Sequence, residues 1–196
     1  MNKIILASGS PRRKDLLTQV GIPFEVIVSN ADETITGPPD QQVQALALRK
    51  AMAVQEMLPN CEKTILAADT LVYIDNKVLG KPETTSEAFN MLKSLAGRSH
   101  TVYTGVAILH GREKQVFVDS TKVFFRNLSD NEIQAYIATG EPMDKAGAYG
   151  VQDRGALLVD RIDGDYFTVV GLPVAKVGAA LREMGLEVWG RPGGTI

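Results

Sequence analysis

Apolar and polar positions along this chain change period several times, and each change predicts an element. Ile4-Ile5-Leu6 is a short apolar run, Ala7-Ser8-Gly9-Ser10 is small and polar, and Leu16 and Leu17 then fall on one side of a helical pattern. This predicts a strand, a turn and a helix, with Ser10 at the N-cap and Pro11 at the first helical position, where a missing N–H costs nothing. Gly21 is expected to end that helix, and residues 23–28 to form a second strand. A polar loop through Asp32 and Glu33 follows, then a Gly-Pro-Pro connector at 37–39. Over residues 40–58 Val43, Leu46, Ala47, Val54 and Met57 share one helical face, with Lys50 at its middle and Arg49 off it, where solvation is expected.

Residues 64–74 form the most apolar run and predict a buried central strand, interrupted by Asp69. Asp75-Asn76-Lys77 reads as a turn, and residues 78–82 as the return of a hairpin that brings Lys81 back towards Asp69. Thr85 or Ser86 is expected to cap a helix through Leu95, stopped by Gly97. Residues 101–109 and 115–125 predict an antiparallel hairpin with His110 exposed in its turn. Ser129-Asp130-Asn131-Glu132 is a capping box for a helix to about Thr139. Residues 155–162 and 166–170 read as a final hairpin about Asp163-Gly164. Pro173 opens a last helix ending near Gly185, and the tail from Gly190 is expected to fray.

Composition narrows the picture. A chain of 196 residues can bury a sizeable core, and a single domain over 1–196 is expected. A net charge of -2 argues against a nucleic-acid partner, which calls for a broad basic surface. Cys61 is the only cysteine, so no intramolecular disulfide can form, and His100 and His110 lack the spacing of a structural zinc site. No stretch has the apolar core of a signal peptide or membrane-spanning length, so no membrane partner and a cytoplasmic location are expected. Walker A, dinucleotide Gly-x-Gly-x-x-Gly and Gly-x-Ser-x-Gly patterns are absent from the sequence.

Charge placement supplies the candidate chemistry. Arg12, Arg13 and Lys14 put three cations into the first turn of a helix, where the dipole is already positive and each costs about 0.3–1 kcal/mol. A bound anion reverses that sign, because backbone N–H groups, the Ser8 and Ser10 hydroxyls and two guanidiniums would converge on its oxygens. The turn reads as a phosphate site, against the alternative of a solvated basic patch. Asp69 within an apolar strand needs a cation or a metal, and its pairing with Lys81 is either structural or catalytic. Asp32 and Glu33 are turn chemistry or metal ligands. Lys50 either snorkels to water or aims a fixed charge. Small residues around Asp144 and Lys145 let backbone approach a ligand closely.

Taken in order, Leu6-Ala7-Ser8-Gly9-Ser10-Pro11-Arg12-Arg13, the Asp32-Glu33 loop, Lys50-Ala51, Ala68-Asp69-Thr70, Gly80-Lys81-Pro82, Thr104-Gly105, Asp144 to Gly150 and Gly171-Leu172-Pro173 resemble the blocks of the Maf family of nucleotide pyrophosphatases. The resemblance implies an elongated α/β fold, a mixed sheet flanked by helices in two lobes about a central cleft, similar to inosine triphosphatases. It implies hydrolysis of a nucleoside triphosphate to the monophosphate and pyrophosphate, with Mg²⁺ or Mn²⁺ held by Glu33 and Asp69. Asp69 would orient or deprotonate the attacking water, and Glu33 and Lys81 would join it in catalysis. Ser8, Arg13, Lys50 and Lys81 would hold the triphosphate, and Lys145 would also bind substrate. Arg12, Thr70 and Gln152 look like the choices of the subgroup that hydrolyses dTTP and UTP, where they would read the base. The resemblance further implies a homodimer, and family members are linked to inhibition of septum formation. A 7-methyl-GTP or inosine triphosphate pyrophosphatase, or a nucleotide-binding regulator without hydrolysis, are the competing readings.

Overall fold

The computed structural model describes residues 3–59 and 62–189. Cys61 and the tail from Gly190 lie outside the described residues. Strands β1 (Ile4–Leu6), β2 (Phe24–Val26), β3 (Ile65–Ile74), β4 (Lys77–Leu79), β5 (Ser99–His110), β6 (Glu113–Phe125) and β7 (Val159–Asp163) form one mixed sheet. Its order is β2-β1-β3-β5-β6-β7, with β4 paired to β3. Helices α1 (Pro11–Gln19), α2 (Pro39–Met57), α3 (Thr85–Leu95), α4 (Asp130–Ile137), α5 (Tyr166–Val170) and α6 (Val174–Glu183) complete it, with short 3-10 turns between 141 and 158. Among the described residues no helix is long and apolar enough to cross a membrane. The chain divides into two compact units, one of residues 1–69, 105–118 and 171–196 and the other of 70–104 and 119–170.

In the first unit β1 is paired in parallel with both β2 and β3, Ile5 facing Glu25 on one side and Ile65 on the other. Parallel strands need helical crossovers, and α1 and α2 supply them. Ala47, Ala51 and Val54 of α2 share a core with Ile5, Ala7, Ile65 and Ala67. Met57, which the periodicity put on that face, is 56% exposed because it is the last residue of the helix. Gly105 in β5 lets α2 approach closely: a Cβ there would stand 2.3 Å from the carbonyl carbon and oxygen of Val43.

In the second unit the β3–β4 hairpin forms with Val72 opposite Leu79, and Asp75 and Asn76 take positive φ in its two-residue turn. Thr84, one residue earlier than expected, caps α3 by accepting from the Glu87 N–H, and the Ser129–Glu132 capping box opens α4. Residues 166–170 are the main departure from the expected pattern. Tyr-Phe-Thr-Val-Val has strand-like composition, yet it forms α5, because the Asp165 carboxylate accepts from the backbone N–H groups of Phe167 and Thr168. His110 also departs: it ends β5 half-buried, with Nδ1 2.9 Å from the Thr64 hydroxyl.

Candidate active site

The turn from β1 into α1 places Ser8 and Arg13. Leu16 and Leu17 pack inward, and Arg13, three and four residues earlier, lies on the same side of the helix. Its guanidinium is therefore buried, donating from Nε to the Gly171 carbonyl at 2.8 Å and from Nη1 to the Ser8 hydroxyl at 2.9 Å. Burial pushes the Arg13 pKa down and Arg12 adds to that, while the Asp69 and Glu33 carboxylates oppose both. Ser10 occupies the N-cap with Pro11 following, but its side chain makes no cap hydrogen bond; its backbone N–H donates to Ser8 Oγ at 3.3 Å. No acidic residue stands in the first turn, and Arg12 and Lys14 are half-buried.

Helix α2 delivers the second feature. Lys50 Nζ lies 2.7 Å from Asp69 Oδ1 and 2.9 Å from Glu33 Oε1. The Lys50 and Asp69 side chains are 15% and 14% exposed, whereas that of Glu33 is 66% exposed. The cation that Asp69 needs is thus Lys50; hairpin logic had given that place to Lys81, which is exposed two residues beyond the end of β4. Arg49 is not simply solvated either. Its Nη1 donates to the backbone carbonyls of Asp32 at 2.6 Å and Thr34 at 3.2 Å, holding the loop on both sides of Glu33. Asp32 turns back on that loop by accepting from the Thr34 N–H at 2.8 Å, a bond that holds its carboxyl below the usual range. Sequence reasoning missed this role of Arg49; the signal available was the Asp-x-Thr turn beside a carboxylate that must be placed.

The second unit carries Thr70, Lys81, Lys145 and Gln152. Thr70 is partly exposed on β3, its hydroxyl 2.9 Å from that of Thr104 on β5. Lys145 donates from Nζ to the Glu141 carbonyl and to Asp144 Oδ1, each at 2.6 Å, and Gly150 leaves room for its stem. Gln152 is half-buried, immediately before the last 3-10 turn. Among the described residues no group of three or more His, Cys, Asp or Glu is placed to hold a metal ion. The Glu33 and Asp69 carboxylates do converge, on one ammonium.

A serine-bearing turn with a buried arginine between β1 and α1, and a lysine of α2 paired with the carboxylates of Asp69 on β3 and Glu33 in the preceding loop, mark out the candidate site of an α/β protein. The Maf-like protein family profile matches residues 3–184, and the chain belongs to that family. It is 51% identical over 195 residues to a protein of Moorella thermoacetica named dTTP/UTP pyrophosphatase, covering 97% of this chain and 100% of that one. Proteins of the same name from Bacillus cereus and Bacillus anthracis are each 48% identical over 190 residues, covering 96% of this chain and 98% of theirs.

Proposed function

We propose that this chain hydrolyses dTTP and UTP, and modified pyrimidine triphosphates of the same shape, to the monophosphate and pyrophosphate. The observation that carries this reading is the Lys50–Asp69–Glu33 cluster. A regulator that only bound nucleotide would have no use for a carboxylate within an apolar strand beside a lysine. Relatives named dTTP/UTP pyrophosphatase, matching over nearly the whole chain, support the choice of substrate. One family profile runs through residues of both units, which supports treating 1–196 as one functional domain.

In-line attack of water on the α-phosphorus requires a placed water, neutralised phosphate charge and a stabilised leaving group. Asp69 orients the water and accepts its proton. Lys50 pairs with the Asp69 carboxylate and, with the hydroxyl of Ser8 and the guanidinium of Arg13, neutralises phosphate oxygens. Lys81 and Lys145 supply further positive charge, Lys145 exchanging its contact with Asp144 for one with substrate. Arg12, Thr70 and Gln152 read the base; an amide can both donate to and accept from a uracil or thymine edge.

The donor set suits a hard divalent cation. Mg²⁺ is commonly held by one or two carboxylates, with substrate phosphates and water completing its six positions, so Glu33 and Asp69 suffice without a third protein ligand. Bound there, Mg²⁺ or Mn²⁺ would polarise phosphate oxygens as a Lewis acid.

The experiment is pyrophosphate release from a panel of dTTP, UTP, dCTP, CTP, ITP and 7-methyl-GTP. Turnover of dTTP and UTP above the others is expected. Turnover of only the purine nucleotides would replace the specificity, and binding without release of pyrophosphate would replace the activity.

A further inference from the structure

Two carboxylates and one ammonium of the first unit form a closed arrangement, with Lys50 Nζ 2.7 Å from Asp69 Oδ1 and 2.9 Å from Glu33 Oε1. One oxygen of each acid is therefore already gathered about a single positive centre. A divalent metal takes the same thing from a protein, one or two carboxylates, when phosphates and water complete its shell. The ammonium thus stands where the two acids would be drawn onto a metal, and two cations side by side repel.

The three side chains are not equally free. Asp69 is set on β3 and is 14% exposed, so leaving its charge without a cation is costly. Glu33 is 66% exposed, in a loop whose backbone Arg49 holds. Lys50 reaches both on a flexible four-carbon stem, and its point charge suits a phosphate oxygen as well as a carboxylate. The ammonium can leave Asp69 only as another cation arrives, and a phosphate gives it a new partner.

We propose that Lys50 competes with the divalent metal for Glu33 and Asp69 in the substrate-free protein, and that substrate ends the competition by drawing the ammonium onto a phosphate. The proposal rests on the reading in which these two carboxylates hold the metal of a triphosphate hydrolase. Metal alone must displace the lysine and binds weakly. Metal and substrate together help each other to bind, because every charge stays paired only when both are present.

The test is the affinity of Mn²⁺ alone for the substrate-free protein, read by electron paramagnetic resonance in wild type, Lys50→Met, Lys50→Gln and Lys50→Arg, with melting temperatures recorded. Methionine keeps an unbranched stem and removes the charge. Glutamine also removes the charge, and its amide can still donate to one carboxylate, so it serves if the methionine variant does not fold. Both are expected to bind Mn²⁺ more tightly than wild type by about tenfold or more, while arginine, which keeps the charge, stays weak. Asp69→Asn added to Lys50→Met should abolish the gain. Arg13 and Arg49 are present throughout, so the comparison isolates one ammonium. Turnover of dTTP should fall in the uncharged variants although they hold the metal more tightly, a split that a merely structural lysine would not give. Unchanged or weaker Mn²⁺ affinity in a folded uncharged variant, equal tightening in arginine, or a gain that survives Asp69→Asn would each overturn the proposal. A wild type that releases no pyrophosphate from dTTP or UTP overturns the functional reading, and one undiminished in EDTA overturns its metal, each taking this inference with it. An active, EDTA-sensitive wild type whose Mn²⁺ affinity does not respond to the charge of Lys50 overturns this inference alone.

Discussion

The ammonium of Lys50 lies 2.7 Å from Asp69 Oδ1, and the two side chains come from a helix and a strand 19 residues apart. Each is only about one-seventh exposed, so each charge is partly stripped of water and depends on the other. The pair is the centre of the proposed chemistry because it sets a carboxylate beside an ammonium, without the cost of an isolated buried charge.

Asp69→Asn keeps the side-chain shape and removes the charge. Turnover of dTTP should fall by about 10²–10⁴-fold, the range for loss of a general base, with a smaller change in KM. Steady-state kinetics on the folded variant checks this. Wild-type kcat would remove Asp69 from the reaction.

Arg13→Lys tests the buried guanidinium. A planar fork donates to the Gly171 carbonyl and the Ser8 hydroxyl together, whereas a single ammonium on a flexible stem matches neither direction as well. Stability should drop by about 1–3 kcal/mol through the buried groups left unsatisfied. Urea unfolding measures it, and dTTP turnover should fall too because Ser8 loses its anchor.

Much of this was legible in the chain. Asp69 could be marked from its apolar neighbours as a carboxylate in need of a cation, and Lys50 from its place in an apolar helical stripe. That the two meet could not, because hairpin reasoning sees only near neighbours and pointed to Lys81, while the α2–β3 pairing is made by long-range packing of Ala47, Ala51 and Val54 on Ile65 and Ala67. Arg13 was visible as a cation but not as a buried one, although its spacing from Leu16 and Leu17 carried that information. Residues 166–170 misled for another reason: strand propensity there is weaker than the hydrogen bonds of the Asp165 cap. Thr104 stood out only as part of the Thr104-Gly105 block, and its contact with the Thr168 carbonyl could not be read, since a threonine within a strand is ordinary and that carbonyl lies 64 residues away.

Gly105→Ala should be poorly tolerated. The added Cβ would lie 2.3 Å from Val43 backbone atoms and 2.6 Å from the Gln44 nitrogen, and helix backbone cannot step aside as a flexible side chain can. A loss of about 3 kcal/mol or more is expected, at the upper end for overpacking, and thermal unfolding should show it.

Divalent metal should be needed for turnover. Excess EDTA is expected to abolish pyrophosphate release, and Mg²⁺ or Mn²⁺ to restore it, because two carboxylates can hold a hard cation alongside the phosphates. Undiminished turnover in EDTA would leave Glu33 as a partner of Lys50 only.

Acid sensitivity should come from His100. Its ring is 3% exposed, lies edge-on to Phe125 and Tyr149, and has Nε2 2.6 Å from the Tyr149 hydroxyl, while Nδ1 has no hydrogen-bond partner among the described residues. Burial lowers its pKa from 6.5 to about 4 and pushes that of Tyr149 up, so no charge in this pair compensates a protonated imidazole. The unfolded chain therefore binds the proton at higher pH than the folded one. Stability from this source is complete above pH 6.5 and falls as pH drops from there to about 4, by about 3 kcal/mol in all. The depressed carboxyls of Glu132, Asp75 and Asp32 act lower, their contribution being lost only as pH falls below the ordinary carboxylate range. Urea unfolding of wild type and His100→Gln at pH 7, 5.5 and 4.5 separates the two windows. The glutamine amide can still meet the Tyr149 hydroxyl but does not titrate, so its stability should stay flat across an interval in which the wild type declines. Parallel curves would show that His100 does not take up the proton on unfolding.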